Sequence, residues 1–278
     1  MHHHVSGSRL GALLLAATAL AVAIAGPAAA AGNAKVRVLH ASPDAPAVDV
    51  YVDGDKVGGP LAGLEFGDIS RYVSLPAGEH DLKVCAAADA SVCPIVADGV
   101  AFDGGTRYTI AATNVLASIE AQVIVDDASP TAAKAQVRVV HFSADTPAVD
   151  VLTQDGATTV VDAVAYPDAT GYLALDPGAY DLKVCADADN SVCPLDPDSL
   201  DLAGGTSYSV FAIGSLEGDP STLTAVVAVD AMAAPDTATV APAPASTSMG
   251  SWWLAVAAIT ALAMTLGALR LATRRVER

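Results

Sequence analysis

Val36-Arg-Val-Leu-His-Ala-Ser-Pro-Asp-Ala-Pro-Ala-Val-Asp-Val50 returns as Val137-Arg-Val-Val-His-Phe-Ser-Ala-Asp-Thr-Pro-Ala-Val-Asp-Val151. Asp81-Leu-Lys-Val-Cys85 with Cys93-Pro94 returns as Asp181-Leu-Lys-Val-Cys185 with Cys193-Pro194. One module is written twice, and an offset that falls from 101 to 100 residues marks a single loop deletion. Solenoid repeats run roughly 20–50 residues, so a period this long means tandem whole domains. Within the repeat the periodicity is two. Val36, Val38 and His40 share one strand face; Val48, Val50 and Val52 share another, alternating with Asp49, Tyr51 and Asp53. Alternation, β-branched residues and closely spaced turns such as Asp53-Gly54 and Pro177-Gly178 predict strands. The fold class expected is all-β: two tandem immunoglobulin-like or transthyretin-like antiparallel β-sandwiches, about seven strands in each copy.

Working outward, the repeats occupy residues 35–127 and 136–230. The short linker around Ala128-Ser-Pro-Thr131 predicts domains set end to end with limited swing. Residues 1–31 read as a signal peptide: Arg9, an apolar run from Leu10 to Ala25, and a small-residue site at Ala28–Ala31. His2-His3-His4 leaves with it. Residues 231–250 are rich in Pro, Ala, Thr and Ser, too poor in large apolar groups to offset ordering entropy. They form a stalk of roughly 50 Å if fully extended in polyproline II. Residues 251–273 suffice for a transmembrane helix, since about 20 apolar residues cross the hydrocarbon. Trp252 and Trp253 fit an interfacial belt, and residues 274–278 with Arg270 form a basic cytoplasmic end. The expected location is the cell membrane, single-pass, with the bulk outside. A cell-wall sorting signal is disfavoured, because no Leu-Pro-x-Thr-Gly motif precedes the apolar run.

The formal charge is −17. Between Lys35 and Asp230, nine Lys plus Arg face 29 Asp plus Glu. Such a surface repels phosphate backbones, which excludes nucleic acid as a partner. It permits cationic partners or divalent ions without specifying them. The four cysteines repeat a C-x7-C spacing, and an exported chain can keep disulfides. Three pairings are possible; the repetition favours Cys85–Cys93 and Cys185–Cys193.

The residues that could carry chemistry are His40, Ser42 and Asp49, with their counterparts His141, Ser143 and Asp150. A Ser-His-Asp mechanism needs a nucleophile within reach of the imidazole and an oxyanion hole. The sequence offers no nucleophile elbow or glycine-rich oxyanion loop. The structural reading is favoured: each histidine ends a core strand and bonds the turn bearing Ser42, Pro43 and Asp44. Asp49 and Asp150 are expected to point outward and to pair with outward-pointing Arg37 and Arg138, worth at most about 1 kcal/mol if exposed. Asp187-Ala-Asp189-Asn190 faintly suggests a calcium loop but lacks the glycine and late glutamate of the helix–loop–helix pattern. Tyr51, Tyr72, Tyr108, Tyr172 and Tyr208 suit core or cross-strand places. His80 is not part of the shared design, because copy two has Tyr180 there.

The run from His40 to Gly54 resembles the opening of the family catalogued as domain of unknown function 4397. The Leu75-Pro-Ala-Gly78 turn and Gly104-Gly-Thr-Arg-Tyr-Thr-Ile110 are similar to it as well, and both copies match. Copy two departs at Thr153-Gln-Asp-Gly156. The resemblance implies exported β-domains, often in tandem, with no catalytic residues to carry over. The expected function is a non-enzymatic surface protein in envelope structure, adhesion or ligand display, without a cofactor. It would be held by its C-terminal helix, with other surface proteins or envelope components as partners. The alternative is an extracellular small-molecule or divalent-cation binding domain.

Overall fold

The structure is a computed structural model that describes residues 32–233, apart from Asp198 and Asp219. The expected signal peptide, most of the stalk, the membrane helix and the basic tail lie outside the described residues. Among the described residues no helix is long and apolar enough to cross a membrane. All of the strands below lie in one compact unit ending at Met232, which also carries its own apolar cores and both disulfides.

Copy one begins with β1 (Asn33–His40), β2 (Val48–Val52) and β3 (Asp55–Lys56). It continues through β4 (Val73–Pro76), β5 (Gly78–Ala86), β6 (Ile95–Phe102), β7 (Arg107–Thr113) and β8 (Glu120–Val125). These build two sheets, ordered β4-β1-β7-β8 and β3-β2-β5-β6. The β2–β3 turn forms where Asp53 and Gly54 take positive φ, 52° and 87°, as a tight hairpin requires. Val36 and Val38 from one sheet meet Val50, Val84 and Phe102 from the other in a single buried cluster. The period-two pattern thus buries one face of each sheet.

Copy two repeats the plan with β9 (Ala135–Phe142), β10 (Val149–Thr153), β11 (Thr159–Val164) and β12 (Leu173–Leu175). There follow β13 (Gly178–Tyr180), β14 (Leu182–Ala186), β15 (Leu200–Leu202), β16 (Thr206–Ile213) and β17 (Thr224–Met232). One sheet, β12-β9-β16-β17, matches its counterpart strand for strand. The other divides into β11-β10-β14 and a separate β13-β15 pair.

Two expectations need correction. The sheets are not purely antiparallel: β1 runs parallel to β7, and β9 parallel to β16. A long crossover separates those strands in sequence, which is what parallel pairing needs. The copies are also not set end to end. Leu39 and Ala111 of copy one share a buried cluster with Val140, Phe142, Phe211 and Ile213 of copy two. These residues have the opposite parity to the core valines. Both faces of β1 and β9 are therefore buried, one inside its own copy and one against the other copy.

Candidate functional site

The histidines lie inside. His40 and His141 are both fully buried at the ends of β1 and β9. His40 Nε2–H donates to the Pro46 carbonyl at 3.1 Å, and His141 Nε2–H to the Pro147 carbonyl at 3.1 Å. The imidazole thus clamps the turn before β2 or β10, a few residues beyond the Ser-Pro-Asp segment expected to hold it. In copy two the Ser143 backbone N–H donates to His141 Nδ1 at 3.3 Å. One nitrogen donates and the other accepts, which is the neutral ring. Burial lowers the His141 pKa below its ordinary 6.5, against opposing contacts to Pro147 and Thr146.

The serines are not aligned as nucleophiles. Ser143 Oγ donates to the Gly214 carbonyl at 2.8 Å and contacts Thr146 Oγ1 at 2.6 Å. Ser42 Oγ and His40 Nδ1 are buried without a hydrogen-bond partner. Asp145 ties its turn to the loop after β16, accepting from the Leu216 and Glu217 backbone N–H groups at 2.9 and 3.0 Å. Burial pushes its pKa up, but these bonds and the Ser215 hydroxyl outweigh burial and hold it below 3.8. Copy one has a lighter version, in which Leu116 N–H donates to Asp44 at 2.6 Å.

Asp49 does not meet Arg37, nor Asp150 Arg138. Asp49 is buried, bonded by Lys56 Nζ at 2.5 Å and by the Gly63 N–H at 2.9 Å. Asp150 is equally buried and accepts from the Ala163 N–H at 2.8 Å. Copy two has no lysine at the β3 position. Instead, carboxylate oxygens of Asp150, Asp162 and Asp187 lie within 4.8 Å of one another. In the Asp187–Asn190 segment, Asp189 accepts from Ser191 N–H at 2.9 Å and its hydroxyl at 2.6 Å, as Asp89 does from Ser91.

The arginines form the centre of the molecule. Arg37 and Arg138 are 2 % and 3 % exposed. Arg37 crosses to copy two, donating to Asp230 through Nη2 and to the Val229 carbonyl at 3.1 Å. Arg138 crosses back, donating to Asp126 and to the Val125 carbonyl at 2.8 Å. Within their own copies, Arg37 Nε donates to Thr109 and Arg138 Nε to Ser209. Each aspartate takes two hydroxyls. Thr109 and Tyr72 donate to Asp126, while Ser209 and Tyr172 donate to Asp230. The guanidinium carbons sit 4.7 and 4.9 Å from the Tyr72 and Tyr172 ring centres, within cation–π range. Burial first, then the nearby Asp126 and Asp230 charges, push those phenols far above 10. Two cations and two anions cancel, and every guanidinium nitrogen has a hydrogen-bond partner. The two sets are related by the repeat, so the contact is two-fold in character, like an isologous interface.

Sequence reasoning found the arginines but assigned them to solvent. The overlooked signal was parity: Leu39, Val140 and Phe142 share the face of Arg37 and Arg138 and are too apolar for an outer surface. A cavity of about 450 Å³ inside copy two was missed as well. It lies between β9, β12, β16 and β17 on one side and the divided sheet on the other. The cysteines pair as the spacing suggested, Cys85 with Cys93 and Cys185 with Cys193. Each bond closes a loop against the end of β5 or β14.

A family model described as "Domain of unknown function (DUF4397)" matches residues 34–152 and again 135–250. Similar solved structures include the C-terminal domain of AlgF from P. aeruginosa, at 27 % identity over 34 % of this chain and 97 % of that one, with a TM-score of 0.28. Family 41 carbohydrate-binding modules from streptococcal virulence factors, titled for α-glucan recognition, show 10 % identity over 69 % of this chain and 96 % of that one, with a TM-score of 0.23. No curated protein matches the chain.

Proposed function

The chain belongs to the DUF4397 family, with two matched segments in tandem, and from that premise we propose that it is a non-enzymatic cell-surface protein serving envelope structure, adhesion or ligand display. Its outer part is a pair of immunoglobulin-like or transthyretin-like β-sandwiches. The signal segment exports it, the C-terminal apolar segment holds it in the membrane, and its partners are other surface proteins or envelope components.

The observation that supports this reading is the buried Arg37–Asp230 and Arg138–Asp126 network. It joins the copies into a stiff block rather than two swinging beads, which suits a spacer or display platform. Both histidines bond the turns that precede β2 and β10, and in copy two the Ser143 hydroxyl donates to the Gly214 carbonyl rather than to an imidazole. The test has two arms. Residues 33–232 are used as bait in native envelope extract, where specific, saturable capture of an envelope component is expected. The same protein is offered ester, glycan and peptide libraries. Turnover that disappears in His40→Ala would replace this reading with an enzymatic one.

A further inference from the structure

We infer that copy two is a binding domain for an uncharged small molecule with an apolar body, held in the cavity between its two sheets. This takes up the small-molecule alternative raised by the sequence, and it does not depend on the scaffold reading.

The copies share a register, so their cores can be compared residue by residue. In copy one, β6 pairs along β5 from Phe102 opposite Gly78 to Ile95 opposite Val84. In copy two the same pairing survives at both ends, Leu202 opposite Gly178 and a single bridge of Leu195 to Val184. The middle is lost. Pro197 stands where Ala97 pairs with Leu82 in copy one. Proline has no N–H to give a ladder, and it is confined to edges and breaks. The side of copy two opposite β17 is opened by that change.

The core behind the opening is also smaller. Phe102, packed edge-on against Tyr108 with ring centres 5.0 Å apart, becomes Leu202. Leu61 and Ile110 become Val161 and Val210, and these losses with that of the Phe102 ring exceed the methylenes gained where Leu173 and Leu200 replace Val73 and Val100. The result is the cavity of about 450 Å³. That is within the usual range of small-molecule sites, roughly 300–1,000 Å³, and far beyond the packing slack of a protein interior. At about 30 Å³ for a water-sized group, it takes roughly ten to fifteen methylenes.

The chemistry of the lining sets the ligand class. Val139, Val151, Leu173, Val184 and Val210 line the interior, and all are apolar. The exposed lining residues mark the mouth: Asp196 and Ser199 on one side, Val227 on the other. Both Asp196 oxygens lie 3.1 Å from the Gln154 amide nitrogen, which fixes a carboxylate at the entrance. An anionic head group would meet that charge, whereas a hydroxyl or ester would not.

The test is fluorescence of the neutral dye 1-N-phenylnaphthylamine with residues 33–232, displaced by dodecan-1-ol or by dodecanoate. The expected result is saturable binding, displaced by the alcohol at roughly tenfold lower concentration than the acid, a difference of about 1.4 kcal/mol. Leu202→Phe with Val210→Ile restores the copy-one residues and should weaken binding by about tenfold or more. Val227→Trp covers the mouth from an exposed position, and should do the same without changing the melting temperature. Absence of displaceable binding overturns the proposal. So does binding that both variants leave intact, which would place the dye on exposed surface valines. Equal displacement by alcohol and acid overturns the uncharged head group.

Discussion

Copy one and copy two share the arginine bonds and the histidine-to-proline bond of β1 and β9, yet they differ where β6 and β15 should close the core. Copy one uses nine residues of β5 against eight of β6. Copy two uses a three-residue pair and one bridge. The sheet that faces the other copy keeps its polar set, Arg37, Thr109 and Asp126 recurring as Arg138, Ser209 and Asp230. The outer sheet has no such partner and has drifted, losing Lys56 and Phe102 while gaining Pro197, Asp162 and Asp187. At the shared face the polar network is kept in both copies while the apolar residues around it differ, Ala41 and Ala111 standing where copy two has Phe142 and Phe211; on the side away from it the strand pairing itself differs.

The largest expected effect breaks the shared face. Arg37→Ala leaves Asp230 buried and short of its cation, and should destabilise the block by about 3–5 kcal/mol in chemical denaturation, as loss of one partner of a buried pair does. Both copies should then melt together at lower denaturant. A loss confined to copy one would refute the coupling. Next comes the staple. Opening Cys185–Cys193 by double Ser substitution removes a loop closure worth roughly 2.5 kcal/mol. The loss should exceed that of the Cys85–Cys93 double mutant, because on the side away from β10, β14 has the Val184–Leu195 bridge where β5 has all of β6.

A sharper comparison concerns the residue after β7 and β16. Asn114 has a φ of 70°, and Gly214 one of 97°. At Gly214 a Cβ would come 2.4 Å from the Thr222 carbonyl oxygen. Gly214→Ala should cost about 1–3 kcal/mol as backbone strain, while Asn114→Gly should change the melting temperature little.

The fourth prediction is a pH response of opposite sign in the two copies. His80 donates from both ring nitrogens, to Asp53 at 2.7 Å and the Pro76 carbonyl at 3.0 Å. Burial alone would lower its pKa, but these contacts and the nearby Asp81 charge raise it above 6.5. Its stabilisation is therefore complete below 6.5 and is lost as pH rises through the raised value. His141 is the reverse. Its pKa is depressed, so stability holds above 6.5 and falls as acid protonates the unfolded chain first. Comparing His80→Tyr with His141→Gln by thermal melts between pH 5 and 8 should remove one slope each. The smallest effect is Asp187→Ala, which restores the copy-one residue. It relieves like-charge crowding with Asp150 and Asp162, and should raise stability by less than about 1 kcal/mol.

The repeat, the period-two strands and the cysteine pairs were legible because each is a local pattern. The inward histidines were legible for the same reason, since His40 and His141 keep the parity of the core valines. The fate of Arg37 was not, because it depends on Asp230, almost two hundred residues away. Nor was the Asp150–Asp162–Asp187 cluster, which converges from β10, β11 and the loop after β14. Pro197 was visible, but its meaning required the Leu82–Ala97 pairing of copy one as a reference.

The two-fold character of the central face has one more consequence. Each copy carries both an arginine on its first strand and an aspartate at its last, so each owns a lock and the matching key. Two separate molecules of one copy would meet through such a face only when crowded enough to collide and stay. Tethering them in one polypeptide makes the second encounter intramolecular, so dilution does not take the pair apart.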